Sequence, residues 1–304
     1  MSKLNYITVI AILLCSCNTN DSELLGHLGR PDISPDGKKI VFIYAEDASK
    51  DTWEIYSADI TGKNVVRLTH FPEARIKKGP VWSPNGEKIA FHADIDGGSQ
   101  IFVMDSNGQN LTQLTQTRGY NVEPHWSPDG SKIAYNLSIP EEGKVQMLSM
   151  NSDGTNIQFL PNFTGQNWYP RLTHNGRIIF TSDIHHRDFY DIFTMNRDSS
   201  DIKQLTKVKA INWFPEYSPD GSRITFTSNR DDPQLSDSGN YNIYMMNQDG
   251  TGLRQITDLP GQEVHPKWHP SGDKLIFAQY QEGPMGLYMI DLHSLKINKI
   301  RLTY

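Results

Sequence analysis

One four-residue string returns along nearly the whole chain and restricts what it can fold into. It reads Ser34-Pro35-Asp36-Gly37, Ser83-Pro84-Asn85-Gly86, Ser127-Pro128-Asp129-Gly130, Thr173-His174-Asn175-Gly176, Ser218-Pro219-Asp220-Gly221 and His269-Pro270-Ser271-Gly272. The successive glycines are 49, 44, 46, 45 and 51 residues apart, which marks six copies of one supersecondary unit rather than two unrelated domains. In the second copy, β-branched and aromatic runs predict four strands: Pro80-Val81-Trp82-Ser83, Lys88-Ile89-Ala90-Phe91, Ile101-Phe102-Val103-Met104 and Leu111-Thr112-Gln113-Leu114-Thr115. Ser-Pro-Asp-Gly suits the first hairpin, because Pro fixes φ and Gly accepts a positive one. Asp105-Ser106-Asn107-Gly108 suits the second. A four-stranded unit cannot bury both its faces alone, so the copies must stack and close radially. The sequence thus predicts an all-β, six-bladed β-propeller of four-stranded antiparallel blades over residues 29–304. Trp82, Trp126, Tyr217 and Trp268 are expected to pack between blades. The last copy is expected to supply its own fourth strand, Lys299-Ile300-Arg301-Leu302-Thr303, with Ser22 to Leu25 available as an added one.

The first residues break this pattern. Lys3 followed by the apolar run Tyr6 to Leu14 has the form of a signal peptide, shorter than the ~20 residues that span a bilayer. Leu14-Cys15-Ser16-Cys17 resembles a bacterial lipobox, with an aliphatic residue three before Cys17 and a small one just before it. Residues 1–16 are therefore expected to be removed, Cys17 to be lipidated, and residues 17–28 to form a short tether. Several acyl chains make such anchoring effectively permanent, so contact with the membrane is expected through the lipid alone. Without Asp after Cys17, outer-membrane sorting is expected, on its periplasmic or cell-surface face. Both cysteines lie in this segment, so no internal disulfide is expected. The formal net charge of −6 argues against nucleic acid as a partner, since that requires a basic face.

The repeat P-x-W-S-P-D-G-x-x-I-A-F, the strand Ile243-Tyr244-Met245-Met246-Asn247 and the closing Leu-Thr resemble the TolB-like propeller family over about Gly29 to Thr303. The resemblance implies a six-bladed propeller and is specific for fold rather than for function. Related propellers also accompany hydrolase domains in prolyl-oligopeptidase-type peptidases, but the chain carries no G-x-S-x-G nucleophile elbow.

In such a disk the short hairpin turns share one face, and the second-to-third loops and blade connections share the other, where function is expected. The residues just before the recurring proline, Arg30, Gly79, Glu123, Tyr169, Phe214 and His265, are expected to ring one channel mouth. Tyr120, Trp168 and Trp213, with Arg75, Lys77, Lys78 and Arg118, are expected around it. Such a set of rings and charges suits a protein hot spot or a sugar platform. Asn121, Asn167 and Asn212 recur three residues before the proline and suggest caps of a repeated turn. His185-His186-Arg187-Asp188 reads as a solvated loop, as do Asp231, Asp232 and Asp237, which lack calcium-loop spacing.

Two functions follow. The preferred one is a non-catalytic, monomeric propeller needing no cofactor, which binds an envelope protein or glycan through Arg75, Arg118, Tyr120, Glu123, Trp168, Tyr169, Trp213, Phe214 and His265. The alternative is a polysaccharide lyase similar to the oligogalacturonate lyases, with a divalent metal such as Mn or Ca. In it His265 or His185 would be a ligand, Arg75 or Arg118 would neutralise the uronate, and Tyr169 would exchange protons.

Overall fold

The second strand of every repeat is buried on both faces. In blade one Ile40, Val41, Phe42 and Ile43 are all buried, and the same holds for Ile89–Phe91, Ile178–Phe180 and Leu275–Ala278. Such a strand must lie inside a stack of sheets. The computed structural model, which describes residues 23–161, 163–232, 239–280 and 285–304, builds that stack. Blade one comprises His27–Ile33, Lys39–Ala45, Glu54–Asp59 and Val66–Arg67. Blade two comprises Lys77–Trp82, Lys88–Ile95, Gly98–Asp105 and Thr112–Gln113, and blade three Tyr120–Trp126, Lys132–Ile139, Lys144–Asn151 and Gln158–Phe159. Blade four runs through Asn167–Leu172, Arg177–Ser182, Asp191–Asn196 and Lys203–Gln204, and blade five through Asn212–Tyr217, Arg223–Ser228, Asn242–Asn247 and Arg254–Gln255. Gln262–Trp268, Lys274–Tyr280, Gly286–Asp291 and Ile297–Lys299 form blade six. Each blade is an antiparallel meander in chain order, and a single parallel bridge between Ser99 and Tyr120 links blades two and three. First strands of neighbouring blades touch all the way round, blade six against blade one, so they line the axis.

The hairpin signature works through its hydroxyl. Ser34, Ser83, Ser127 and Ser218 each accept the backbone N–H five residues on at 2.9 Å, while the turn glycine takes a φ of 70° to 76°. In the degenerate fourth copy Thr173 accepts from Arg177 N at 3.0 Å, so that copy keeps the turn with one residue fewer. The closing Leu-Thr has its own role: Thr69, Thr115, Thr206 and Thr257 accept the N–H of Ile55, Ile101, Ile192 and Ile243 at 2.8–2.9 Å, pinning the short fourth strand to the third.

The core lies between blades. One apolar cluster joins Val41, Ile43 and Ile55 of blade one to Trp82, Phe91 and Phe102 of blade two, and comparable clusters fill the other junctions. Aligned rings at one repeat position span the second and third strands: Phe42–Tyr56, Phe91–Phe102, Phe180–Phe193, Phe226–Tyr244 and Phe277–Tyr288, with centroids 5.7–6.1 Å apart. As expected from the repeat, Trp82, Trp126 and Trp268 are buried at junctions; Trp126 Nε1 donates to Val81 O of the previous blade at 3.3 Å, and Trp268 Nε1 to Glu216 O at 3.2 Å.

Closure differs from expectation in one respect. The last strand ends at Lys299, and the segment expected to extend it is instead drawn across the seam. Thr303 N donates to Gly62 O at 2.8 Å, Val65 N to Thr303 O at 3.2 Å, and Leu24 N to Leu302 O at 2.8 Å. Leu302 and Leu24 thereby join the apolar cluster between blades six and one, and that burial outweighs continuing an exposed edge strand.

The cap position three residues before the proline is filled as expected by buried asparagines. Asn121 donates to Thr117 Oγ1 at 2.8 Å, Asn167 to Phe163 O at 3.0 Å and Asn212 to Tyr190 O at 2.7 Å, each tying down an incoming connection. In blade six the position is Glu263, fully buried, with Oε1 lacking a partner and Oε2 accepting from Leu259 N at 3.4 Å. Burial pushes its carboxyl up to about 8, so it behaves as a neutral stand-in for asparagine. Because the folded value exceeds the ordinary 4.5, the folded state holds more protons and stability falls as pH rises through this window. Glu263→Gln is expected to raise Tm by several degrees at pH 8, less at pH 5, and to flatten the pH dependence between them, as thermal melts would show.

Candidate axial binding site

A kink repeated in every first strand builds the axis. Arg30, Gly79, Glu123, Tyr169, Phe214 and His265 all have φ between 47° and 61°, and each precedes Pro31, Pro80, Pro124, Pro170, Pro215 or Pro266. Pairing with the second strand breaks at this point, as in the register shifts between Gly29 and Asp32, Lys78 and Val81, Trp168 and Arg171, Trp213 and Glu216, and Val264 and Lys267. Each left-handed non-glycine residue costs of order 1–3 kcal/mol, and such strain concentrates where a structure over-determines it.

The kink brings residues from distant blades together. Arg30 of blade one makes a short, part-buried ion pair with Glu123 of blade three. On the other side Tyr169, Phe214 and His265 stack across blades four, five and six, with centroids 4.5 Å and 4.1 Å apart. Burial pushes the Glu123 carboxyl up, but the Arg30 guanidinium beside it outweighs that and holds it down at about 2. His92, whose Nδ1 accepts from Glu123 N at 3.4 Å, is driven down to about 3 by burial, and His265 well below its ordinary value for the same reason. Both histidines are therefore neutral rings, and His265 is part of an aromatic plug.

Two residues further along each first strand lies a second ring: Asp32, Val81, His125, Arg171, Glu216 and Lys267. Glu216 is its hub, accepting from Lys267 Nζ at 2.9 Å and His125 Nε2 at 3.1 Å, with Arg171 Nε 3.5 Å away. Burial opposes ionisation of Glu216, yet Lys267, His125 and Arg171 hold its carboxyl well below the ordinary value. Asp32, which accepts from Trp82 N at 2.7 Å, is pushed up to about 6 by burial that Lys267 only partly offsets. This ring forms the floor of a funnel of about 540 Å³. Trp82, Trp126, Tyr217 and Trp268 make its walls, and Pro35, Pro84, Pro128, Pro219, Pro270 and His174 its rim. Only about 30 Å³ of space separates the two rings, so the channel is plugged.

Comparison with known proteins fits this architecture. Residues 8–189 match the TolB beta propeller domain. The chain belongs to that family. A "Protein TolB homolog" of Chlorobium chlorochromatii is 30% identical over 141 residues, 46% of this chain and 30% of that protein, so the chain spans about a third of that relative's length. The solved structure of a putative TolB from Agrobacterium tumefaciens superposes with TM-score 0.72 at 23% identity, covering 84% of this chain and 91% of that one. An oligogalacturonate lyase in complex with manganese shares the fold more distantly: TM-score 0.59, 14% identity, 90% of this chain and 77% of that one.

In this TolB-like propeller the residues expected at one mouth fall into three places. Glu123, Tyr169, Phe214 and His265 form the plug with Arg30 and Gly79. Trp168 and Trp213 sit just outside it, Trp168 against Tyr169 at 6.1 Å and Trp213 stacked on Tyr241 at 6.1 Å. Arg75, Arg118 and Tyr120 lie in a groove around the 95–98 turn of blade two, made of cavities of about 710 and 380 Å³ that share Ile95, Asp96, Gly97, Gly98 and Tyr120. Tyr120 is 40% exposed there, and Arg118 lies 3.8 Å from Glu141. Lys77 belongs to none of these places: it is buried against Glu54 at 2.9 Å and over the Phe71 ring.

The residues of the lyase reading are not brought together either. His185 is exposed on blade four near Phe193, His265 is in the plug, and Arg75 and Arg118 are in the groove. Among the described residues no three His, Cys, Asp or Glu side chains converge to hold a metal. Asp231 bonds Tyr244 Oη, while Asp237 and Cys17 lie outside the described residues.

Sequence reasoning missed the funnel floor, although a signal was present. In P-x-W-S-P-D-G the x position reads Asp, Val, His, Arg, Glu and Lys in successive copies. It is the variable position of a rigid motif, and five of its six occupants are polar. The axial funnel consequently opens on the face of the tight turns, not on the connection face favoured above.

The Arg30–Glu123 pair is the main polar link across the plug. Arg30→Met is expected to destabilise by ~3–5 kcal/mol by leaving Glu123 buried and unpaired, whereas Arg30→Met with Glu123→Leu should recover most of the loss. Denaturant unfolding of the single and double variants measures both.

Proposed function

We propose that this protein is a non-catalytic binding propeller of the bacterial envelope, tethered by lipid at Cys17, that docks a segment of a protein partner in its axial funnel. One observation carries the reading: the axis is plugged by the Arg30–Glu123 pair and the Tyr169–Phe214–His265 stack, so the funnel is a closed recess with a polar floor and not a conduit. Membership of the TolB propeller family and the TolB homolog among its relatives support an envelope location. A protein segment is favoured over a sugar because the wall indoles of Trp82, Trp126 and Trp268 are buried between blades, leaving no open ring face for stacking.

Two measurements test this. Cys17→Ser is expected to move the protein from the membrane to the soluble fraction, and retention in the membrane would refute the lipid tether. A photoreactive residue at the exposed rim position His174 is expected to crosslink an envelope protein in intact cells, whereas one at exposed Phe159, on the outer edge of blade three, should not. Equal labelling from both positions would refute docking on the axis.

A further inference from the structure

The floor of the funnel holds more hydrogen-bonding capacity than its own residues use. Arg171 is 6% exposed and lines both the funnel and the narrow space beneath it. Neither its Nε nor its Nη1 makes a hydrogen bond, and its approach to Glu216 at 3.5 Å is an ion-pair contact only. In the funnel wall Trp82 Nε1 is also without a partner. Guanidinium nitrogens buried this far are costly to leave unpaired, and a carboxylate is an acceptor that offers them charge-assisted hydrogen bonds.

Charge points the same way. Glu216 shares its negative charge between Lys267 and Arg171, and the floor carries a surplus positive charge whenever Asp32, pushed up to about 6, is protonated. Asp32 is the only other acidic group on the floor among the described residues, and its carboxylate is directed to Trp82 N. Above the floor the surroundings change character, to five prolines and the edges of buried aromatic rings. A ligand matching this order has a carboxylate at its tip and an apolar body behind it, and a volume of about 540 Å³ is on the scale of a small-ligand or short-peptide pocket.

We infer that the funnel is a receptor for a free peptide C-terminus, with the terminal carboxylate on Arg171 beside Lys267 and the preceding apolar residues against the proline rim. This rests on the axial docking reading above and names the chemistry of that site. Arg171 and Lys267 act as binding residues. Asp32, across the floor, opposes the incoming charge and sets how tightly it is held.

The probe is a pool of N-acetylated apolar tetrapeptides with free C-terminal carboxylates, titrated against the propeller beside the same pool with C-terminal amides. Trp82, Trp126 and Trp268 report occupancy through their fluorescence, and calorimetry gives Kd. The free acids are expected to bind about tenfold or more tighter than the amides, the scale of a charge-assisted pair. Arg171→Gln is expected to remove that preference, and Asp32→Asn, which keeps an acceptor for Trp82 N, to tighten binding of the acids severalfold. The amide comparison and Asp32→Asn leave Arg171 in place, so the proposal stays testable even where Arg171→Gln fails to fold. Equal binding of acids and amides would overturn the carboxylate receptor while leaving axial docking intact. Binding of neither pool would overturn both, and tight binding of trigalacturonate in place of the peptides would overturn the peptide class in favour of an acidic sugar.

Discussion

A four-stranded sheet with two apolar faces has nowhere to bury both except against copies of itself, and everything else in this protein follows from that. The apolar clusters join the second and third strands of one blade to those of the next, so no blade has a core of its own. The ring must close, and the chain closes it by laying Leu302 and Thr303 across the seam between blades six and one, where Leu24 and Gly62 receive them. Because each junction is packed from both sides, the first strands are held at a fixed distance around the axis. That rigidity lets a narrow channel be plugged by side chains from five of the six blades.

The kink before each recurring proline turns this scaffold into a site. A regular strand would alternate its side chains between the two blade faces. The left-handed residue and its bulge interrupt that alternation, and the ring residues then meet across the axis: Arg30 with Glu123, Tyr169 with Phe214, Phe214 with His265. The strain is repeated six times and relieved by glycine only at Gly79. It is sustained by packing that is itself repeated six times, which is why the residues at these positions can differ so widely in chemistry.

Electrostatics divides the two rings. In the upper ring burial keeps His92 and His265 neutral, while Arg30 keeps Glu123 ionised, giving a closed polar bond and an aromatic stack. In the lower ring Glu216 collects two donors and the charge of Arg171, yet Arg171 retains nitrogens without hydrogen bonds and Asp32 sits near 6. The upper ring is therefore internally matched, whereas the lower one has capacity left for something outside the chain.

Most of the architecture was legible in the residues alone. Ser-Pro-Asp-Gly encodes its hairpin through contacts within five residues, and Leu-Thr encodes the fourth strand within one blade, so both can be read locally. The blade count, the junction tryptophans and the ring Arg30, Gly79, Glu123, Tyr169, Phe214 and His265 follow from the repeat. What the repeat could not express is which of these residues would face one another. Glu123 pairs with a residue 93 positions away, and Glu216 gathers partners 51 and 91 positions away. Arg118 and Tyr120, close to Glu123 in sequence, line a separate groove instead. Local turn chemistry determined the blades. Only radial closure, which brings sequence-distant strands to one axis, decided which side chains share the site and on which face it opens.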